Sequence, residues 1–351
     1  MVTTRVRIDR ISSSTRNAGI GPQVLVGQEI VCQEGYVLAV RILGEKPVYN
    51  QVEDPTGRLI RLRAGDVLAG TLGRRRALRG YAGEVPQDLT QGDIVQVLNL
   101  GGVLGRCTAI NPDLGPPFDA EVLGAVLTFP RTGDRVGRPA HIRDGAVPTA
   151  DRLAGATPIV FVVGTCMDSG KTVAAAEVVR GLARTGLRVG GVKLTGVSLR
   201  RDALSMLDSG AVAALTFNDA GVVSTDGSHA RPTAYGLLNE LETHHPDVIV
   251  AELGDGILGE YGVDVLLGDG VLMGRGAAII CCAPDQVAAW GAVEVLDRRF
   301  GLRPTVISGP ATDNEVGCRF IRDQLELPAH NARRGDGALV EIVLGALDGT
   351  S

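Results

Sequence analysis

The stretch Ile159-Val160-Phe161-Val162-Val163-Gly164, followed by Thr165-Cys166-Met167-Asp168-Ser169-Gly170-Lys171-Thr172, constrains this chain more than any other. Its first residues are β-branched or aromatic up to a closing glycine, the pattern of a buried strand. A glycine-bounded loop comes next. Then Val173-Ala174-Ala175-Ala176-Glu177-Val178-Val179 reads as the opening of a helix. Strand, Gly-bounded loop, Gly-Lys-Thr and helix is the P-loop layout.

The physics of that layout is anion capture. Backbone N–H groups of the loop and of the helix N-terminus point at phosphate oxygens. Gly164, Thr165, Cys166, Met167, Asp168, Ser169, Gly170, Lys171 and Thr172 are therefore the expected phosphate-binding residues. Lys171 can reach the β- and γ-phosphates, and the Thr172 hydroxyl can hold Mg²⁺. Five residues separate Gly164 from Gly170, one more than in the common pattern. Lysine usage is unusual as well. The chain has 35 Lys and Arg residues, yet only Lys46, Lys171 and Lys193 are lysines. Two of the three fall in the loop and in the next expected strand.

With 351 residues the chain is long enough for two domains, and its 44% hydrophobic and 21% charged content fits a globular protein. A net charge of −5 argues against general nucleic-acid binding. No apolar run reaches the roughly 18 residues of a membrane span, and Met1-Val2-Thr3-Thr4-Arg5-Val6-Arg7 has no apolar leader core. Cys32, Cys107, Cys166, Cys281, Cys282 and Cys318 show no C-x-x-C spacing, so reduced thiols and a cytoplasmic location are expected. Cys166, inside the loop, reads as a reactive thiol or as structural filler.

Residues 1–130 read as a smaller β-rich domain, a barrel or sandwich. Val24-Leu25-Val26, Tyr36-Val37-Leu38-Ala39-Val40 and Ile94-Val95-Gln96-Val97-Leu98 are short apolar runs cut by Gly, Pro and Asp. Arg63-Ala64-Gly65-Asp66 and Thr90-Gln91-Gly92-Asp93 share a Gly-Asp turn layout. The basic cluster Gly73-Arg74-Arg75-Arg76-Ala77-Leu78-Arg79-Gly80 reads either as a solvated loop or intramolecular ion pairs, or as an anion or carboxylate clamp facing the nucleotide domain. Residues 131–157 have the Gly-, Pro- and Arg-rich composition of a linker.

From 158 to 351 strands and helices alternate, which predicts an α/β domain of P-loop NTPase type: a parallel sheet with helices on both faces. Strands are expected at 159–164, 188–193, 247–252, 277–282 and 304–308. Helices are expected at 170–185, 200–209, 233–244, 285–299, 313–326 and 337–347. The stretch 210–232 reads as an irregular loop and a candidate substrate lid.

Three further residues are candidates for chemistry. Lys193 ends the second expected strand, where it can neutralise developing charge. Glu252 ends the strand Asp247-Val248-Ile249-Val250-Ala251, where Mg²⁺ needs an acidic partner, with Asp255 as its substitute. Asp202 opens a helix, where it is either an N-cap or a second metal carboxylate. His229 lies in a polar loop and is not assigned to the catalytic set.

The run Val162 to Val173 resembles the P-loop of dethiobiotin synthetase, which shares the five-residue spacing and the Gly-Thr opening. The resemblance continues through Gly191-Val192-Lys193, Asp202-Ala203-Leu204 and Val250-Ala251-Glu252-Leu253-Gly254, and ends near Thr305-Val306-Ile307-Ser308-Gly309. It covers about residues 158–326. It implies that Lys171 and Thr172 bind phosphate and Mg²⁺, that Lys193 binds a carboxylated amine, and that Asp202 and Glu252 complete the metal site. It implies a homodimer or higher homo-oligomer that activates a carbamate with ATP. Cys166 stands where that family has an acid, and Lys193 is followed by Leu194-Thr195 where the family has proline. Residues 1–130 have no counterpart there.

The same half is also similar to a P-loop family that includes D-glutamate N-acetyltransferases. That likeness implies acetyl-CoA at the loop. Three functions are therefore expected in order. The first is an ATP-Mg²⁺ enzyme activating a small carboxylate or carbamate, with Lys171, Lys193 and Glu252 catalytic and Thr172, Asp202 and Glu252 on the metal. The second is an N-acyltransferase on an amino acid. The third is a regulatory nucleotide-binding protein.

Overall fold

The apolar runs of the second half of the chain pair into one parallel sheet. The computed structural model describes residues 3–77, 80–131 and 133–349, and the chain divides into two compact units. One unit holds the residues up to Val147 together with Val197–Arg200 and Asn218–Ser224. The other holds Pro148–Gly196, Arg201–Phe217 and the chain from Thr225 onward.

In this second unit the strands are β1 (Ile159–Gly164), β2 (Val189–Thr195), β3 (Ala213–Thr216), β4 (Val248–Leu253), β5 (Gly276–Cys282) and β6 (Val306–Ser308). They lie side by side in the order β3-β2-β4-β1-β5-β6, and every neighbouring pair is parallel. The helices are α1 (Lys171–Arg184), α2 (Arg201–Asp208), α3 (Ala230–Glu242), α4 (Val263–Leu267), α5 (Gly270–Met273), α6 (Gln286–Phe300), α7 (Glu315–Leu325) and α8 (Ala338–Asp348). Residues of β1 are wholly buried, as a strand covered on both faces requires. Val160 and Val162 join Ala174, Ala175, Val178 and Val179 of α1 and Val340 and Val343 of α8 in one apolar cluster.

The expected elements fall within three residues of the observed ones, with two exceptions. The stretch 210–232 is not wholly irregular: it contains β3. That strand is short, Ala-rich and paired only with β2, so its sequence carries little β signal. The short helices α4 and α5 were not expected either.

In the first unit the strand Phe118–Thr128 pairs with Val37–Ile42, which pairs with Val67–Leu72. That strand runs parallel to Val103–Ile110, which pairs with Ile94–Val97, and Ile94–Val97 returns to Phe118–Thr128. The ring of five strands is closed, so the β-rich half is a barrel. Leu38, Val40, Leu68, Val95, Val97, Leu104, Phe118 and Ala120 belong to a single buried cluster.

The two Gly-Asp turns are structurally alike. Asp66 Oδ2 accepts the Arg63 N–H at 3.0 Å, and Asp93 Oδ2 accepts the Thr90 N–H at 2.7 Å. Gly65 and Gly92 take φ of 87° and 91°, which only glycine adopts freely. A third copy follows: Asp134 Oδ2 accepts the Arg131 N–H at 2.9 Å, and Gly133 has φ of 94°.

Within the basic cluster, Leu78 and Arg79 lie outside the described residues. Arg74 Nε lies 3.2 Å from Glu34, and Arg76 Nε lies 3.6 Å from Glu84. Arg75 is 3% exposed and donates to the Leu98 carbonyl and, at 3.2 Å, to the Tyr49 hydroxyl. These three arginines make internal contacts of the barrel unit. Arg75→Ala therefore leaves a buried carbonyl unpaired and a void, and it is expected to cost about 2–3 kcal/mol. Chemical denaturation checks this: an unchanged midpoint would show that Arg75 is not part of the barrel's support.

The expected linker, 131–157, carries contacts on both sides of Pro148. Arg138–Pro139 pairs with Leu127–Thr128 of the barrel unit. Thr157 Oγ1 donates to Glu242 at 2.7 Å in the α/β unit. Among the described residues no helix is long and apolar enough to cross a membrane.

Candidate functional site

Parallel pairing explains why residues distant in sequence converge at one end of the sheet. Glu252 in β4 lies in register with Val162 of β1 and with Lys193 of β2. Strand β1 runs into the loop, and α1 begins at Lys171. The carboxyl ends of β1, β2 and β4 thus deliver Lys171, Lys193 and Glu252 to the same edge, where open α/β sheets bind ligands.

The loop itself is tightly wound. Asp168 and Gly170 take left-handed φ values of 59° and 98°. A Cβ on Gly164 would collide with the Ser169 hydroxyl, so the first glycine is required for the loop to close. Ser169 is fully buried and Lys171 is 6% exposed. The Lys171 ammonium turns back onto the loop, donating to the Cys166 carbonyl at 2.7 Å and to Ser169 Oγ at 3.4 Å. Helix α1 has no side-chain cap at Gly170, which leaves its first N–H groups for an anion. Thr165, Cys166 and Met167 are half-buried along the loop, and Asp168 is exposed.

Thr172 lies between two carboxylates. Its Oγ1 is 3.1 Å from Asp202 Oδ1 and 3.2 Å from Glu252 Oε1. One hydroxyl proton cannot serve both acceptors, so the arrangement favours a proton on one carboxyl. Electrostatics identify which. Burial works against the Asp202 carboxylate, but Lys193, Arg201 and the Thr172 hydroxyl outweigh it and hold it below the usual carboxylate range. Burial, then the neighbouring Asp202 charge, push the Glu252 carboxyl up to about 7, against the pull of Lys193, Lys171 and Thr172. Glu252 is 2% exposed, and among the described residues its Oε2 has no hydrogen-bond partner.

Lys193 is committed to this group. Its Nζ pairs with Asp202 Oδ2. Burial tends to lower its pKa, but Asp202 and Glu252 outweigh that and hold it above the usual lysine value. Asp202 lies in the first turn of α2 and is 3% exposed. It is the second residue of α2, and its Oδ1 and Oδ2 go to Thr172 and Lys193, so it holds these side chains and is not the N-cap.

Two carboxylates and a hydroxyl converge with one buried oxygen unpaired. That donor set suits a hard cation such as Mg²⁺, which takes few protein oxygens and completes its shell with water and phosphate. Among the described residues there is no cluster of three or more His, Cys, Asp or Glu that would hold a metal by itself. Among the described residues, Asp255, the substitute acid, makes no hydrogen bond with the Thr172 hydroxyl. Its carboxyl is raised above the usual range by burial, against the pull of Lys171, the Gly256 backbone and Lys193. His229 sits in a local turn, its Nδ1 2.9 Å from Asp226 Oδ1 and 3.2 Å from Ser228 Oγ.

Two supports of the site are not evident in the sequence. Thr195 Oγ1 donates to the Gly254 carbonyl at 3.0 Å, tying β2 to the turn after β4. Gly256 lies so close to the loop that a Cβ there would collide with the Thr165 carbonyl. The Gly254-x-Gly256 spacing is the available signal for that approach.

The parallel sheet, the loop between β1 and α1, and the acid at the end of the adjacent β4 make this a P-loop NTPase-like fold. No protein-family model matches the chain, and no curated protein does. Solved structures do align with it. The 54 kDa signal recognition particle protein of Aeropyrum pernix K1, in complex with GDP, is 15% identical. That alignment has a TM-score of 0.37 and covers 56% of this chain and 50% of that one. The signal recognition particle receptor FtsY of Elizabethkingia anophelis is 14% identical with a TM-score of 0.37, covering 57% of this chain and 68% of that one. An LAO/AO transport system kinase is 20% identical with a TM-score of 0.36, covering 56% and 62%. The chain thus spans half the length of the first of these proteins.

Proposed function

We propose that the chain is an enzyme that binds ATP with Mg²⁺ and activates a small carboxylate or carbamate by phosphoryl transfer. The observation that carries this reading is the Thr172 hydroxyl between the Asp202 and Glu252 carboxylates, directly after Lys171. A phosphate cradle alone would suit many anions. A cradle with a hard-cation donor set beside it suits a metal-bound polyphosphate, because a cation held by these acids would neutralise phosphate charge.

In this reading the loop N–H groups and Lys171 hold the β- and γ-phosphates. Thr172, Asp202 and Glu252 would hold the metal, which supplies charge neutralisation on the phosphates when bound. Lys193 keeps Asp202 ionised and oriented. Glu252 would serve as a metal ligand in its ionised form. Transfer to a carboxylate or carbamate oxygen would give an acyl phosphate, which an amine or water can then open.

Calorimetric titration with MgATP, MgGTP and acetyl-CoA, each repeated in EDTA, tests the proposal. MgATP is expected to bind, with affinity reduced at least tenfold in EDTA, an effect on the order of 1.4 kcal/mol. Acetyl-CoA binding that is indifferent to EDTA, with no nucleotide binding, would refute the proposal and favour acyl transfer. MgGTP binding in place of MgATP would keep the metal site and change the nucleotide.

A further inference from the structure

The turn after β4 is built around one carboxylate. Asp255 has φ of 72°, a left-handed conformation that Asp adopts more readily than most non-glycine residues. The turn is held on both sides. The Ile257 N–H donates to the Gly164 carbonyl at 2.9 Å, and Thr195 Oγ1 donates to the Gly254 carbonyl at 3.0 Å. A Cβ on Gly254 would collide with the Thr195 carbonyl, and one on Gly256 with the Thr165 carbonyl. A Cβ on Gly259 would collide with Asp255 Oδ2 itself. The turn therefore lies flush against the start of the phosphate loop and the end of β2, which holds the Asp255 backbone in place.

The carboxylate so fixed is not used up. Asp255 Oδ1 is buried, and among the described residues it has no hydrogen-bond partner. The charged groups that act on it are Lys171 and Lys193, with Glu260 opposing them. The Thr172 hydroxyl donates towards Asp202 and Glu252 and not towards Asp255. An acid with an unused acceptor, in a turn packed against the phosphate loop, is placed to take a proton from a reacting group.

We propose that Asp255 is the acceptor for the proton of the nucleophile that attacks the terminal phosphorus of the bound nucleotide. This rests on the nucleotide reading above. With water as nucleophile, the water oxygen bonds to the γ-phosphorus. The bond from that phosphorus to the β–γ bridging oxygen breaks, and its electron pair leaves with the nucleoside diphosphate. The water proton passes to Oδ1 and is lost to solvent. With a carboxylate as nucleophile no proton moves. Asp255 then matters for hydrolysis and for protonated acceptors only.

The test uses the full-length protein, with MgATP binding by calorimetry and hydrolysis by single-turnover release of phosphate. Asp255→Asn tolerates the left-handed backbone, and Asp255→Gly relieves it, so both variants keep the turn. MgATP affinity is expected within about twofold of wild type, and hydrolysis about a hundredfold slower in both. Formate should restore about a tenth of the lost rate in Asp255→Gly by supplying the missing carboxylate. Hydrolysis within about threefold of wild type in either variant would overturn the proposal, since a proton acceptor contributes far more than that. So would a loss of Mg²⁺-dependent affinity, which would make Asp255 a metal ligand. Wild-type protein that binds MgATP without hydrolysing it overturns the proposal and leaves the nucleotide reading standing. Wild-type protein that binds no nucleotide ends the nucleotide reading itself.

Discussion

Lys171→Ala is expected to reduce MgATP affinity by about a hundredfold or more and to abolish measurable turnover, without unfolding the protein. The Lys171 side chain is almost fully buried, and its only described donations are to the Cys166 carbonyl and Ser169 Oγ of its own loop. Its loss leaves one carbonyl without a charged donor, a modest structural cost. The functional cost is larger. A fixed ammonium in a site of low polarity stabilises the charge that builds on the β–γ bridge, and water does not replace it. Lys171→Arg is not a rescue, because a planar guanidinium does not fit a loop wound around a point charge. Calorimetry and thermal unfolding on the same sample separate the two effects. Unchanged affinity with an intact fold would remove the phosphate-cradle reading. Loss of the fold itself would show that the loop needs the lysine to close.

The loop and the sheet were legible in the sequence because each rests on a local pattern. Ile159–Val163 is continuous β-branched and aromatic chain, and Lys171–Val179 carries strong helix formers between a glycine and a burial face. Glu252 was legible from its place at the end of an apolar run. What it faces was not, since the Val162, Lys193 and Glu252 register depends on strand order, which sequence spacing does not encode. Lys193 illustrates the gap. Its position at a strand end suggested a cation for developing charge, the resemblance implied a substrate contact, and the structure pairs it with Asp202. Strand β3 was hidden because four residues of Ala213-Ala214-Leu215-Thr216 on a sheet edge take their order from β2 and little from themselves. The barrel ring was half legible. Short runs and Gly-Asp turns implied β structure, but closure depends on Ile94–Val97 pairing at both edges, a non-local fact.

The shared proton between Thr172, Asp202 and Glu252 leads to the second large effect, and its sign runs against the usual result of altering a buried residue. Glu252→Gln is expected to stabilise the metal-free protein at pH 8 and to weaken its binding of MgATP. With the folded carboxyl at about 7, above the ordinary 4.5, folding favours the protonated form. The stability that this gives is fully present below about pH 4.5 and is lost as pH rises through about 7. The gap corresponds to about 3 kcal/mol at pH 8, when an ionised Glu252 must sit unscreened beside Asp202. Glutamine keeps the shape, carries no charge, and its amide can donate where the carboxyl proton did. In EDTA, wild type should therefore lose stability between pH 5 and pH 8 relative to Glu252→Gln, and the two should converge near pH 5. With Mg²⁺ and ATP the order reverses, because the neutral amide is a poor ligand for a hard cation and the ionised acid is a good one. Denaturation at both pH values, with and without MgATP, measures all four corners. A difference between the proteins that does not vary with pH would mean that Glu252 is ionised throughout and that no proton is shared. A variant less stable at pH 8 in EDTA would mean that Glu252 is held as a carboxylate by Lys193 and Lys171, which would then outweigh its burial and the charge of Asp202.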